Sequence, residues 1–376
     1  MADAPTYENP HDPRLTAELL GHEKVQRQLL EAHTAGRLHH AWLLTGPRGI
    51  GKATLAYRFA RYLLTKGSEG QGADARPGLF GEALEGTTGE AMALQPDHPV
   101  FRRVAAGGHG NLRILQRSVD EKTGKMRQEI TVGDVRKLHR FFASTAAEEG
   151  WRIVIVDAAD DMNRNAANAL LKILEEPPEK SILLLVAHRP GVLPATIRSR
   201  CQALALSPLT EEQVVGVVSA RLPELSGEDH LALARLGAGA PGRALALAGE
   251  GGLDLYRRMI GVMENLPDLK TADSHALADE LAGRGAEQRY SLLVDLVLYW
   301  VGGLVRAGAR GAAMPEITGG EQALAARLTA SVAVERWLAV WEKMGETVER
   351  AERQKLDRKQ TVLALLGQLQ GAFSAS

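Results

Sequence analysis

Two hydrophobic rhythms alternate through the first half of the chain. Ala41-Trp42-Leu43-Leu44-Thr45, Trp151-Arg152-Ile153-Val154-Ile155-Val156, Ser181 to Ala187 and Gln202 to Leu206 are short apolar runs. Each ends at a polar or turn-forming residue, the pattern of a buried strand. Between them, Leu19 to His33, Ala53 to Leu64, Asp134 to Phe142 and Asn163 to Glu175 carry apolar residues at helical spacing. The last of these stops at Pro177-Pro178, which cannot continue a helix. Leu112 to Ser118 and Met126 to Val132 predict two more strands around a turn at Asp120 to Lys125. Strand alternating with helix predicts a mostly parallel sheet with helices on both faces.

After Pro208 no strand pattern recurs. Thr210 to Leu222, Glu228 to Leu236 and Gly242 to Ala248 read as short helices. From Leu253 onward the pattern is long, amphipathic and helical, with breaks expected near Pro267, Gly283, Gly308 to Pro315 and Gly345. Three blocks follow: an α/β domain over 1–207, a small helical domain over 208–265, and a helical bundle over 266–376. Residues 1–14 read as a polar arm, and 66–96, rich in Gly, Ala and Glu, as a loose insertion.

Charge and cysteine content narrow the function. Lys+Arg 45 against Asp+Glu 46 leaves a net charge of −1 on 376 residues, so no global basic field holds a phosphate backbone. A stand-alone DNA-coating protein is disfavoured, though a basic face within an assembly is not. The single cysteine, Cys201, excludes a disulfide within the chain and a zinc site built on two thiolates. Met1 to Pro5 lacks the start of a signal peptide, and the apolar stretch Ser291 to Val305 is interrupted by Asp295. The expectation is a soluble cytoplasmic protein.

Gly46-Pro47-Arg48-Gly49-Ile50-Gly51-Lys52 matches G-x-x-x-x-G-K between a predicted strand and a predicted helix. Gly46, Gly49 and Gly51 would let backbone N–H groups curl around phosphate, and Lys52 would reach the terminal phosphates. The next position holds magnesium through a hydroxyl in active enzymes, and here it is Ala53. Thr54 follows, about 100° further round the helix, a poor substitute. The strand Ile153 to Val156 ends at Asp157, placed to face the metal. Ala158 then stands where a water-polarising glutamate is needed. Asp160 and Asp161 read as cap and first-turn charges of the helix at Asn163. Ser199-Arg200-Cys201 offers a guanidinium at a domain edge, either in an ordinary ion pair or completing a neighbour's site.

Taken in order, Gly21-His22-Glu23, Gly36-Arg37-Leu38-His39-His40-Ala41, the phosphate loop, Asn168 to Pro178 (NALLKILEEPP) and Ser199-Arg200-Cys201 resemble the clamp-loader branch of the AAA+ family over roughly 15–206. Leu356 to Gln360 is a weaker match to that branch's C-terminal domain. The resemblance implies an AAA+ parallel-sheet domain, a helical lid and a helical collar. It implies a five-subunit ring, part of a nucleotidyltransferase holoenzyme, that uses ATP to place a sliding clamp on primer-template DNA. With Ala53 and Ala158, this chain resembles the branch's non-hydrolysing stator. Its Arg200 would act as an arginine finger in the ATP site of a neighbouring gamma/tau subunit, alongside a delta subunit. Arg243 falls at the sensor-2 position of the lid.

No cofactor is then required, and ATP or ADP binding without hydrolysis stays open through Gly46, Gly49, Gly51, Lys52, Thr54, Asp157 and Arg243. Many relatives carry a four-cysteine zinc module near 65–110; this chain has no cysteine there, and Asp97, His98 and His109 are too few for a metal. His39-His40 reads as packing, Leu292 to Leu304 as a core stripe, and Arg350 to Lys359 as a solvated face. Two alternatives stand beside the stator: an autonomous AAA+ ATPase with a rearranged metal site using Thr54 and Asp160, and a nucleotide-binding switch without partners.

Overall fold

The computed structural model describes residues 12–68, 92–120, 124–143, 148–283 and 285–374. Most of the expected insertion at 66–96 and of the arm at 1–14 lies outside them. The chain divides into two compact units, 1–213 with 240–242, and 214–239 with 243–376.

The first unit carries, in order, α1 (Glu23–Thr34), β1 (Ala41–Thr45), α2 (Lys52–Ser68), α3 (Pro99–Ala105), β2 (Leu112–Leu115), α4 (Val132–Ala143), β3 (Arg152–Asp157), α5 (Arg164–Glu175), β4 (Ser181–Ala187), α6 (Ala195–Arg198) and β5 (Gln202–Ala205). The sheet order is β2-β3-β4-β1-β5. Every neighbouring pair is parallel, with Leu43 opposite Leu185 and Val154 opposite Leu183. Parallel strands flanked by helices are buried on both faces, which is why the sequence shows continuous apolar runs rather than alternation. All seven residues of β4 are buried.

The strand period of two sorts these residues between two cores. Leu44, Ile153, Ile155, Ile182 and Leu184 pack with Leu29, Leu55, Phe59 and Leu63 of α1 and α2. Leu43, Val154, Val156, Leu183 and Leu185 pack with Leu138 of α4 and with Leu170 and Ile173 of α5.

Three expectations are corrected. Met126 to Val132 forms no strand; Val119 and Met126 make one antiparallel bridge, and Ile130 makes a parallel bridge to Met162. Ile130, fully buried, donates its amide to Asp161 and accepts from Asn163, so the segment is tied to the loop after β3 rather than back to β2. The α3 helix has no counterpart in the expected pattern, although Pro99 at its first position and the His98 ring accepting from the Val100 amide mark its start. Gly345 breaks nothing.

In the second unit, α7 (Glu211–Arg221) leads in from the first, and α8 (Gly227–Gly237), α9 (Pro241–Gly249), α10 (Gly252–Met263), α11 (Thr271–Ala282), α12 (Glu287–Arg310), α13 (Glu321–Ser331), α14 (Val334–Gln354) and α15 (Arg358–Gly371) follow. The α14 helix runs unbroken through Gly345, where one glycine costs only about 1 kcal/mol and buried Met344 and Thr347 anchor the turn. The α12 helix is apolar enough to cross a membrane by composition. Its Leu293, Leu296, Val297, Trp300, Val301 and Leu304 are nevertheless buried, and it packs on α10 and α14.

Candidate functional site

The phosphate loop folds as its glycines require. Gly46, Gly49 and Gly51 all have positive φ, of 139°, 85° and 102°. A Cβ on Gly46 would sit 2.5 Å from the Leu206 carbonyl oxygen and 2.6 Å from Ile50 Cδ1, so only glycine fits there. Lys52 opens α2 and is buried. Its ammonium donates to the carbonyl oxygens of Gly46 and Pro47, each at 2.6 Å. Burial pulls Lys52 down to about 8, against the opposing pull of Asp160 and Asp157. Asp157 ends β3; burial raises its carboxyl above the usual range, with Lys52 and Arg48 opposing. Ala53 and Thr54 follow on the first turn of α2, both half-buried, and Ala158 follows Asp157.

Two turns brace this loop. Gly21-His22-Glu23 is a positive-φ turn at both Gly21 and His22, and His22 Nε2 donates to the Ile50 carbonyl oxygen at 2.7 Å. On the other side the Gly242 amide donates to the Gly49 carbonyl oxygen at 2.8 Å. A Cβ on Gly242 would lie 3.0 Å from that oxygen. Sequence reasoning missed Gly242, whose signal was its place immediately before Arg243. Arg243 itself belongs to the second unit, where its guanidinium lies 5.2 Å over the Tyr299 ring. Also missed were Arg58 and Arg61 of α2. Arg58 donates to the Ala17 carbonyl oxygen, and Arg61 to those of Arg14 and Thr16, holding the segment before α1 against the phosphate-loop helix.

Asp160 does not cap α5. Asn163 does, its side chain accepting from the Ala166 amide at 2.9 Å. The Asp160 carboxylate turns instead to the end of β4 and accepts the His188 amide at 3.0 Å and the Arg189 amide at 3.1 Å. Burial would raise its pKa, but those amides outweigh burial and hold it below the usual carboxylate range. His188 is lowered by burial and by Lys52, and its buried Nδ1 has no partner among the described residues. His39 and His40 are structural: the rings stack at 4.3 Å, and His40 Nε2 lies 3.0 Å from the Leu174 carbonyl oxygen. The described residues contain no cluster of three metal-ligating side chains.

Arg200 stands apart from all of these. The phosphate loop, Asp157, Asp160 and His188 follow the C-terminal ends of β1, β3 and β4. Arg200 precedes β5, whose Gln202 pairs with Trp42 in β1. Gly46 and Arg200 are therefore separated by about six residues of strand, roughly 20 Å. The Arg200 side chain is 38% exposed and pairs with Glu175 at 2.9 Å.

A family model described as "DNA polymerase III, delta subunit" matches residues 21–210. DNA polymerase III subunit delta' of Pseudomonas aeruginosa is 33% identical over 282 residues, covering 74% of this chain and 76% of that protein. The Escherichia coli protein of the same name is 32% identical and covers 58% of each. A solved DNA polymerase III gamma subunit-related protein from Thermotoga maritima aligns with 94% of this chain and 99% of its own at 16% identity and TM-score 0.40. On the family match and on the Pseudomonas identity across three quarters of each sequence, the chain belongs to the DNA polymerase III subunit delta' family.

Proposed function

We propose that this chain is the non-hydrolysing stator of a clamp loader. It lends Arg200 to the ATP site of a neighbouring gamma/tau subunit, assembles with a delta subunit in the cytoplasm, and supports ATP-driven loading of a sliding clamp on primed DNA. The observation that carries this reading is the placement of Arg200. Across about 20 Å of sheet, its side chain reaches no phosphate held at Gly46 to Lys52 of the same chain, which supports a role toward a phosphate on another subunit. Its cost of release is small, because a half-exposed ion pair contributes about 1 kcal/mol or less.

The chain's own loop supports the other half of the reading. Ala53 and Ala158 bring no oxygen to metal or water, and Asp160 is committed to two backbone amides. Gly46, Gly49, Gly51 and Lys52, with Thr54 and Asp157 beside them, make a site for ATP or ADP without turnover, and no zinc or other cofactor is required. Residues 208–265 act as lid and 266–376 as collar.

The test is ATPase of a loader reconstituted with gamma/tau, delta, clamp and primed DNA. Arg200→Ala should lower stimulated turnover about tenfold or more while the ring still assembles on a sizing column, and the isolated chain should be inert. Unchanged turnover in the assembled Arg200→Ala loader would sink the finger. Hydrolysis by the isolated chain would sink the stator.

A further inference from the structure

We infer that Glu175 is a positioning residue for Arg200, one that holds the guanidinium extended at the subunit edge in the geometry a neighbour's phosphoryl group needs. The inference rests on the reading of Arg200 given above and deepens it.

The first observation is that Glu175 sits where a helix disfavours it. It is the last residue of α5 and is followed by Glu176 as C-cap. The C-terminal end of a helix carries partial negative charge, so carboxylates there are destabilising and cations are preferred. A local rule broken without a local gain points to a use elsewhere. The gain here is across the fold: Glu175 Oε1 lies 2.9 Å from an Arg200 terminal nitrogen.

The second observation is how the guanidinium is held. One terminal nitrogen lies 2.9 Å from the Glu175 carboxylate as an ion pair, and the other donates to the Thr196 carbonyl oxygen at 3.1 Å. A guanidinium has five N–H groups in a rigid fork. The ion pair and the hydrogen bond together restrain the guanidinium and leave further N–H groups for an incoming oxygen. The base of the side chain is fixed as well: the Arg200 amide donates to the Ile197 carbonyl oxygen, the Ser199 hydroxyl to that of Thr196, and Cys201 is half-buried. Unpaired, an arginine at this exposure samples many rotamers and must lose them when the neighbour docks. Paired, it is ordered before docking, and preorganised groups stabilise developing charge best. Because the pair is half-exposed on both sides, it is weak enough for the guanidinium to shift toward a phosphoryl oxygen.

The test uses the same reconstituted loader with Arg200→Ala, Glu175→Gln and the double variant. Glu175→Gln should lower kcat about three- to fivefold with the KM for ATP unchanged, because the loss is of alignment in the transition state and not of ATP binding. The double variant should fall no further than Arg200→Ala alone. Thermal unfolding of Glu175→Gln should match the wild type or exceed it, since it removes a carboxylate from a helix C-terminus; a lower kcat then cannot be read as poor folding. If Arg200→Ala impairs turnover and Glu175→Gln does not, the positioning role is overturned and the finger stands. If Glu175→Gln lowers turnover equally in the Arg200→Ala background, Glu175 acts on something else and the inference fails. If Arg200→Ala is itself silent, the finger fails first, and the positioning role with it.

Discussion

The phosphate loop and the Arg200 edge are the two ends of one sheet, and they spend their polar groups in opposite ways. At the loop, nearly every polar group is turned inward. Lys52 donates to the loop's own carbonyls, His22 to Ile50, Gly242 to Gly49, and Asp160 accepts two amides of the segment after β4. At the edge, one guanidinium is held by an ion pair and one hydrogen bond and is half-exposed. The loop has the motif of an active site and is built like a core. The edge has the form of an ordinary surface pair and leaves its guanidinium half-exposed. A motif can persist because its glycines shape a backbone and its lysine ties a turn; hydrolysis needs, in addition, oxygens aimed at metal and water, and Ala53 and Ala158 supply none.

Stability separates the two ends most strongly. Asp160→Ala removes a buried carboxylate and leaves the His188 and Arg189 amides without their acceptor. The expected loss is about 2–3 kcal/mol in chemical denaturation. Arg200→Ala should cost less than about 1 kcal/mol in the same measurement. The comparison would break if the two variants unfolded together, because the loop would then be no more structural than the edge. Acid should act in the same direction as the Asp160 variant. The Asp160 pKa is depressed in the folded chain, so its contribution is present above the ordinary aspartate value and is lost as pH falls through the folded one.

These magnitudes also mark what sequence could reveal. The strands were legible because burial on both faces leaves no choice but continuous apolar runs, as in Ser181 to Ala187. The absent oxygens at Ala53 and Ala158 were legible because the motif fixes their positions to the residue. The direction of Asp160 was not. It depends on the amides of residues 188 and 189, which β4 brings beside the end of β3, and nothing near Asp160 in sequence announces them. Glu175 and Arg200 are separated along the chain in the same way and meet only through the packing of α5 on α6. Met126 to Val132 misled because its β-branched end, Ile130-Thr131-Val132, resembles a strand in composition, while Ile130 is tied by two hydrogen bonds to the loop after β3.

Proton linkage gives a sharper probe of the loop. Lys52 titrates near 8 in the folded chain and near 10.5 in its unperturbed state. The folded chain releases its proton first, so stability should rise with pH between those values. Phosphate binding should move the other way, since it needs the ammonium. Affinity of the isolated chain for ADP should fall by up to about tenfold per pH unit above 8, measured by calorimetry against a Lys52→Met control that shows no such slope. Two opposite slopes from one lysine would fit a loop that tolerates a buried cation because it still receives an anion. A flat binding profile would mean that the ammonium serves only Gly46 and Pro47, and the site would then be wholly structural.

The smallest expected effect probes the missing metal ligand directly. Ala53 is half-buried on the first turn of α2, directly after Lys52, where a hydroxyl would face the magnesium of a bound nucleotide. Wild-type affinity for ADP should be indifferent to magnesium. Ala53→Ser should make it magnesium-dependent, with a tightening of about threefold, since one neutral oxygen adds a single ligand to an ion that keeps several of its waters. ATP should remain intact in that variant, because Ala158 still offers no carboxylate to orient water. Turnover by Ala53→Ser alone would show that the loop lost its chemistry at one residue rather than two, and the contrast between an inward-turned loop and an outward-facing arginine would rest on a single hydroxyl.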